Sequence, residues 1–200
     1  MIIVRANLGL ANRMRVINSS LLLSTYLNTR VKLIWEKNAG LNCDFLDLFM
    51  PIENIDIIQH HKVFNFYTAP KPTMMIFYHR FFRKLLDKYY SINNIYFNED
   101  AVLKKRFDDS YWKKLKGNIL IDTCHDFFSQ TEANNMYQFF KPVPKLQNII
   151  NELSSGFNEY TVGVHIRRTD NEKAIETSTD EGFIKRFKIL IDKEPLVNFY

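Results

Sequence analysis

The sequence of 200 residues is poor in cysteine, glycine and proline, and each shortage excludes a class of protein. Its two cysteines, Cys43 and Cys124, lie far apart and outside any CxxC spacing, so we expect reduced thiols rather than a disulfide framework. Six glycines and six prolines exclude collagen-like and linker-rich chains. The five histidines form no HxxH or HExxH pattern, so no metal site is predicted.

Long apolar runs are also lacking. No stretch approaches the roughly 18 apolar residues of a membrane-spanning helix. The apolar segment at residues 1–5 is too short to be the core of a signal peptide. A cytoplasmic location is therefore predicted, with peripheral contact at the inner membrane face as an option that depends on one basic helix discussed below.

The composition that remains is that of a globular protein. Hydrophobic residues make up 46% and aromatic residues 14%, which supplies enough apolar bulk for a core. The formal net charge of +5 favours anionic partners, but it does not choose between nucleic acid, a membrane surface and a phosphorylated substrate.

The order of patterns along the chain predicts an α/β protein. A short apolar strand at 2–5, an apolar-striped helix at 12–27 and a β-branched strand at 31–35 form a βαβ unit, which builds a parallel sheet. A further strand is predicted at 118–123. The fold class is therefore α/β, with one domain at 1–158 and the first βαβ unit of an incomplete second domain at 159–200.

The clearest candidate site follows the predicted strand at 160–166, where the sequence reads HIRRTD at 165–170. Open α/β sheets bind ligands at the carboxyl ends of their strands. Two adjacent arginines, Arg167 and Arg168, match phosphate oxygens because a guanidinium group donates bidentately and stays charged. The alternative is a surface pair that bridges to Asp170.

A second candidate is the loop between the first strand and the first helix. A loop that enters a helix N-terminus presents free N–H groups and a positive dipole end, and Gly9 would allow close approach of a ligand. The alternative is an ordinary helix start with Asn12 as its cap.

Together these two segments resemble the fucosyltransferase superfamily. The stretch GLANRMR at 9–15 resembles that superfamily's G-x-x-N-[QR] opening, and HIRRTD at 165–170 resembles its H-x-R-R-T/G-D motif. The segments 121–127 and 140–142 are similar to weaker signatures of the bacterial members. On this resemblance the chain is identified as a C-terminally truncated bacterial member with a role in polysaccharide biosynthesis.

The resemblance implies a GT-B-like fold, in which 1–158 is a Rossmann-type N-terminal domain and 159–200 begins a second, incomplete Rossmann-type domain. It also implies a fucosyltransferase that uses GDP-fucose, inverts the anomeric centre and requires no metal or other cofactor. Its partners would be the nucleotide sugar and a glycan acceptor, with no nucleic acid. The residues implied to bind the donor are Gly9, Asn12, Arg13, His165, Arg167 and Arg168. Arg167 would also serve catalysis by stabilising the leaving diphosphate, and Asp170, Glu172 and Glu176 are candidates for the base, of which Asp170 and Glu176 are preferred.

Two other functions stay open at this point. The chain is alternatively a non-catalytic truncated remnant, or a basic module that binds anions or nucleic acid. The predicted helix at 73–90 also has two interpretations. One face is aromatic and the other basic; they consist of Phe77, Phe81, Leu85 and Tyr89, and of Arg80, Arg83, Lys84 and Lys88. Either the aromatic face packs on the sheet, or the helix rests on an anionic membrane.

Overall fold

The computed structural model describes residues 1–59, 76–96, 105, 108–129, 136–166 and 172–200. These residues form two compact units, Met1–Leu146 and Gln147–Tyr200. The division lies earlier than the boundary predicted near residue 158. The helix Pro144–Ser154 therefore begins at the end of the first unit and continues into the second.

The first unit contains a parallel sheet. Among the described residues its strands are β1 (Ile2–Ala6), β2 (Val31–Ile34), β3 (Ile55–Ile58), β4 (Ile92–Tyr96) and β5 (Asn118–Thr123), arranged in the order β3-β2-β1-β5-β4. The helical segments are α1 (Leu10–Leu27), α2 (Phe45–Leu48), α3 (Ile76–Tyr89), α4 (Asp109–Lys114), a 3-10 turn (Met136–Phe139) and α5 (Pro144–Ser154). The parallel pairing, with β1 at the centre and the chain crossing to its other side after β3, is typical of a Rossmann-like sheet, so the predicted fold class is confirmed.

Both faces of the central strands are buried, as a parallel sheet requires. On one face Val4 of β1 packs in a large core with Val16 and Ile17 of α1. On the other face Ile3 packs in a smaller core with Leu120. Successive strand residues point to opposite faces, so the continuous apolar run of β1 supplies both cores.

Helix α1 begins earlier than the sequence pattern indicates. Gly9 is its N-cap, with an extended backbone at φ −72° and ψ 171°, and Asn12 lies in the first turn. The alternative in which Asn12 caps the helix is therefore wrong. The helix ends at Asn28, whose left-handed φ of 47° directs its N–H to the carbonyl oxygens of Ser24 and Thr25.

Two further elements of the first unit, β4 and α4, were not predicted. Helix α4 begins at Asp108, whose carboxylate accepts hydrogen bonds from the Ser110 hydroxyl and the Tyr111 N–H, each at 2.9 Å. The hydrogen bond from Ser110, followed by that from Tyr111, lowers the pKa of Asp108 below its ordinary value. This acid therefore acts as a helix cap.

The second unit contains β6 (Thr161–Val162), α6 (Glu172–Thr177), α7 (Asp180–Lys193) and β7 (Asn198–Phe199). Strands β6 and β7 pair in parallel, so this unit forms the predicted βαβ arrangement. The predicted strand at 160–166 is shorter in the structure. Residues 172–177 are helical. The side chain of Thr179 caps α7 by accepting a hydrogen bond from the Gly182 N–H at 3.2 Å.

Helix α3 occurs close to its predicted position, but its aromatic side is turned to solvent. Phe81 is 61% exposed and Tyr89 is 81% exposed. The expectation that this face packs on the sheet is therefore wrong for these side chains. No helix within the described ranges combines the length and the apolar character that a membrane span requires.

Candidate functional site

A crevice lies at the carboxyl edge of the sheet, between β1 and β5. The chain leaves β1 towards β2 on one side, while β5 and β4 lie on the other, so the strand order reverses at this point. Open α/β sheets bind ligands at such a reversal. The crevice has a volume of ≈ 510 Å³ and is lined by Asn7, Leu8, Asn38, Ala39, Gly40, Asp122, Thr123 and Cys124.

Hydrogen bonds between neighbouring strands define the floor of the crevice. The Asn7 N–H donates to the Thr123 carbonyl oxygen at 3.2 Å, and the Asn7 side-chain amide donates to the Asp122 carboxylate. Arg5, the register partner of Asp122, forms an ion pair with the same carboxylate. The side chains of Arg5 and Asp122 are only 16% and 10% exposed, so this pair is well shielded from water. Two donors therefore fix the orientation of Asp122.

Arg13 holds two walls of the crevice together. Its side chain is fully buried and its guanidinium group donates three hydrogen bonds. Nε donates to the Leu8 carbonyl oxygen at 2.8 Å, Nη1 to the Glu36 carbonyl oxygen at 2.8 Å, and Nη2 to Asn38 Oδ1 at 3.0 Å. The guanidinium carbon also lies 4.6 Å from the centroid of the Trp35 ring. Burial lowers the pKa of Arg13.

These contacts hold the loop after β1 in an unusual conformation. Leu8 has a φ of 66°, in the left-handed region that leucine rarely adopts. Gly40 approaches it closely, because a Cβ at Gly40 would lie 3.1 Å from the Leu8 carbonyl carbon. Asn38 Oδ1 additionally accepts the Gly40 N–H at 2.9 Å. The shape of the crevice therefore depends on a glycine at position 40 and on the Arg13 hydrogen bonds.

The N-terminus of α1 lies next to this loop. Helix α1 has no acidic residue in its first turn and no side-chain hydrogen bond at its cap. The first N–H groups of the helix therefore keep their capacity to bind an anion, and the helix dipole favours one there. Gly9 and Asn12, two of the predicted donor-binding residues, flank these groups.

The other predicted site residues divide into three groups. Arg13 lies in the same turn as Asn12, but its buried guanidinium contacts the protein's own loops. His165 and Glu176 are exposed residues of the second unit, and Glu176 lies on α6. Residues 167–171 lie outside the described part of the chain, so the placement of Arg167, Arg168 and Asp170 stays a prediction.

Sequence analysis did not identify Asn7, Asp122 or Asn38 as site residues. Asn7 follows β1 and Asp122 lies near the end of β5, which are positions typical of ligand-binding residues in parallel sheets. That signal becomes usable only when β5 is known to be the neighbour of β1. In the described ranges, no group of three or more His, Cys, Asp or Glu side chains suited to hold a metal ion occurs.

This fold is similar to that of solved protein structures, whereas the sequence by itself matches no known family. No protein-family model matches the sequence, and no curated protein matches it. The fucosyltransferase NodZ from Bradyrhizobium is similar in structure, with a TM-score of 0.53 and 15% identity over 98% of this chain and 68% of that one. A NodZ alpha-1,6-fucosyltransferase soaked with GDP-fucose has a TM-score of 0.47 and 15% identity over 94% of this chain and 66% of that one. At 15% identity, the likeness to the Bradyrhizobium structure shows that the two chains share a fold.

Proposed function

We propose that this chain is a glycosyltransferase that transfers fucose from GDP-fucose to a hydroxyl group of a glycan, with inversion at the anomeric carbon. The observation that carries the proposal is the crevice between β1 and β5, beside the N-terminus of α1, whose first turn contains no acidic residue. It lies in a fold similar to that of a fucosyltransferase. The motif at 165–170 is proposed on the sequence alone to bind the donor as well.

The donor leaves a nucleoside diphosphate, so the enzyme must stabilise negative charge that develops on the phosphate oxygens. In the proposed mechanism Arg167 donates to the diphosphate and Arg168 lies alongside it, because guanidinium forks match phosphate oxygens. Asn12 approaches the phosphates from the first turn of α1. Preorganised donors of this kind lower the barrier because they need not reorient as the charge forms.

Inversion requires one displacement step. The acceptor hydroxyl oxygen attacks the anomeric carbon from the face opposite the diphosphate, the carbon–oxygen bond to the phosphate breaks, and its electron pair stays on the leaving diphosphate. A carboxylate takes the hydroxyl proton. We propose Glu176 for this role, with Asp170 as the second candidate, and the exposed position of Glu176 on α6 is compatible with access by a glycan.

Donor binding is tested by titrating GDP into the full chain by isothermal calorimetry. Arg167→Ala is expected to weaken GDP binding by about tenfold to a hundredfold, because a hydrogen bond to a charged group contributes roughly 1.5–3 kcal/mol. Arg186→Ala, at an exposed arginine of α7, is the matched control and should leave the affinity unchanged. Unchanged affinity in Arg167→Ala would contradict the role of that residue. Absence of GDP binding by the wild type would contradict the proposed function.

The base is tested separately through turnover. Glu176→Gln is expected to reduce fucose transfer by about a hundredfold or more while GDP affinity stays the same, since general base catalysis contributes roughly 10²–10⁴. Full turnover in Glu176→Gln together with loss of turnover in Asp170→Asn would assign the base to Asp170.

A further inference from the structure

Helix α3 carries a stripe of apolar side chains on its solvent side. The stripe consists of Tyr78, Phe81, Phe82, Leu85 and Tyr89, all of which are exposed. At 3.6 residues per turn, these five positions fall within an arc of about 100° along one side of the helix. Contiguous exposed aromatic surface of this kind marks an interaction site, since single exposed apolar residues are ordinary but an aligned row is not.

The opposite side of the same helix attaches it to the protein. Leu86 and Asp87 are half-buried, as is Tyr90 directly after the helix. Tyr90 packs against the smaller core, which contains Ile3 and Leu120. The helix is thus held by its less apolar side, and its aromatic stripe contributes little to the packing of the first unit.

Basic side chains border the stripe. Lys84 and Lys88 are exposed and lie one turn apart on the flank next to Phe81, whereas Arg83 lies on the same side of the helix as Asp87. The only acidic residue of α3, Asp87, lies on the inner side. The outer surface of the helix therefore combines aromatic rings with positive charge, which is the composition of helices that lie in a membrane interface.

We propose that α3 lies on an anionic phospholipid surface, with the aromatic stripe at the boundary between headgroups and acyl chains. The lysine side chains beside the stripe reach the phosphate groups, and tyrosine rings suit the interface because they are apolar with a polar tip. The 14 residues of α3 span about 21 Å, too short for the roughly 30 Å hydrocarbon core, so the helix lies in the plane of the surface. This contact is independent of the transferase activity proposed above.

Co-sedimentation of the full chain with vesicles tests the proposal. We expect binding to vesicles of phosphatidylcholine mixed with phosphatidylserine, weaker binding at high salt, and little binding to phosphatidylcholine alone. Replacing both Lys84 and Lys88 with Gln should weaken binding about twenty-five-fold, because each basic residue near an anionic surface contributes a factor of roughly five. The double variant Phe81→Ser with Leu85→Ser should abolish binding.

The control is Leu46→Ser, which removes an exposed apolar side chain of similar exposure from α2 and should leave vesicle binding unchanged. Circular dichroism checks that every variant is folded, which is expected because all the substituted side chains are exposed. Absence of binding to anionic vesicles, or unchanged binding by the Phe81/Leu85 double variant, would overturn the proposal. If the wild type is a dimer in light scattering, the double variant is a monomer and neither binds vesicles, the stripe contacts a second copy of the chain. That result would also overturn the membrane proposal.

Discussion

Replacement of Arg13 by methionine is the perturbation that best tests how the crevice is built. Methionine keeps much of the buried aliphatic volume of arginine but removes the guanidinium group. The three hydrogen bonds to Leu8, Glu36 and Asn38 are lost together, as is the contact with the Trp35 ring. The loop after β1 is then no longer tied to the loop after β2.

The expected loss of stability follows from two opposing contributions. Three hydrogen bonds donated by a cation, at roughly 1.5–3 kcal/mol each, contribute roughly 4.5–9 kcal/mol if they add fully. Removing the guanidinium from water costs several kcal/mol, which is the same effect that lowers the pKa of Arg13. We therefore expect Arg13→Met to lower the free energy of unfolding by about 3 kcal/mol.

Urea denaturation followed by tryptophan fluorescence measures this loss directly. Both tryptophans, Trp35 and Trp112, are buried in the first unit, so the signal reports on the unit that contains Arg13. Arg15→Met is the matched control, because Arg15 is an exposed arginine of the same helix, and it should change the free energy by less than about 0.5 kcal/mol. Arg13→Lys keeps the charge but not the planar fork and should recover little of the loss.

An Arg13→Met variant within about 0.5 kcal/mol of the wild type would refute this reasoning. It would mean that the three acceptors find equivalent donors in water and that Arg13 does not position the loops. A loss confined to GDP affinity, with stability unchanged, would instead favour the direct donor contact that the family resemblance implies for Arg13.

Three further predictions concern the crevice and the capping of a helix. Gly40→Ala should weaken GDP binding, because the added Cβ would lie 3.1 Å from the backbone of Leu8. Gly156→Ala is the control and should not change the affinity, because a Cβ there meets nothing within 4 Å. Equal affinities of the two variants in calorimetry would contradict this. Asp122→Ala should lower the free energy of unfolding in urea by about 3 kcal/mol, since it leaves the shielded Arg5 without its closest carboxylate; a change near zero would contradict the role of the pair. The pKa of Asp108 is lowered in the folded state, so its ionised form stabilises the fold. The wild type should therefore be more thermally stable than Asp108→Ala above the ordinary pKa of aspartate, and this difference should shrink as the pH falls through the lowered pKa. A difference that does not depend on pH would contradict this.

Much of the sheet could be predicted because its strands are local apolar runs. Strand β5 has the predicted bounds, and β1 and β2 differ from prediction by one residue at their ends. Strand β4 was missed because its sequence, INNIY, has two asparagines at its centre, and asparagine is rare in strands. Its place at the edge of the sheet comes from pairing with β5, which no local pattern reveals.

The crevice was only partly predictable, because its residues come together through contacts between distant segments. The loop before α1 could be identified as a candidate from the sequence, and its residues Asn7 and Leu8 line the crevice. Asp122 joins them only because β5 lies beside β1. Arg13 has the pattern of a surface cation on an amphipathic helix, and its burial depends on acceptors at Glu36 and Asn38 in another loop.

Helix α3 shows a different limit of prediction from sequence. Its length and amphipathic pattern were predictable, since periodicity is a local property. Which side faces the protein was not, because apolar periodicity alone suggests that the aromatic side is buried. The structure places that side in solvent, and the basic residues beside it give the exposure a physical interpretation.

The most direct test of the central claim is a crystal structure of this chain in complex with GDP. The account predicts diphosphate oxygens within hydrogen-bond distance of the N–H groups in the first turn of α1, beside Gly9 and Asn12, at the crevice that Asn7 and Asp122 line. Ordered GDP at another surface of the protein, with this crevice empty, would contradict the account.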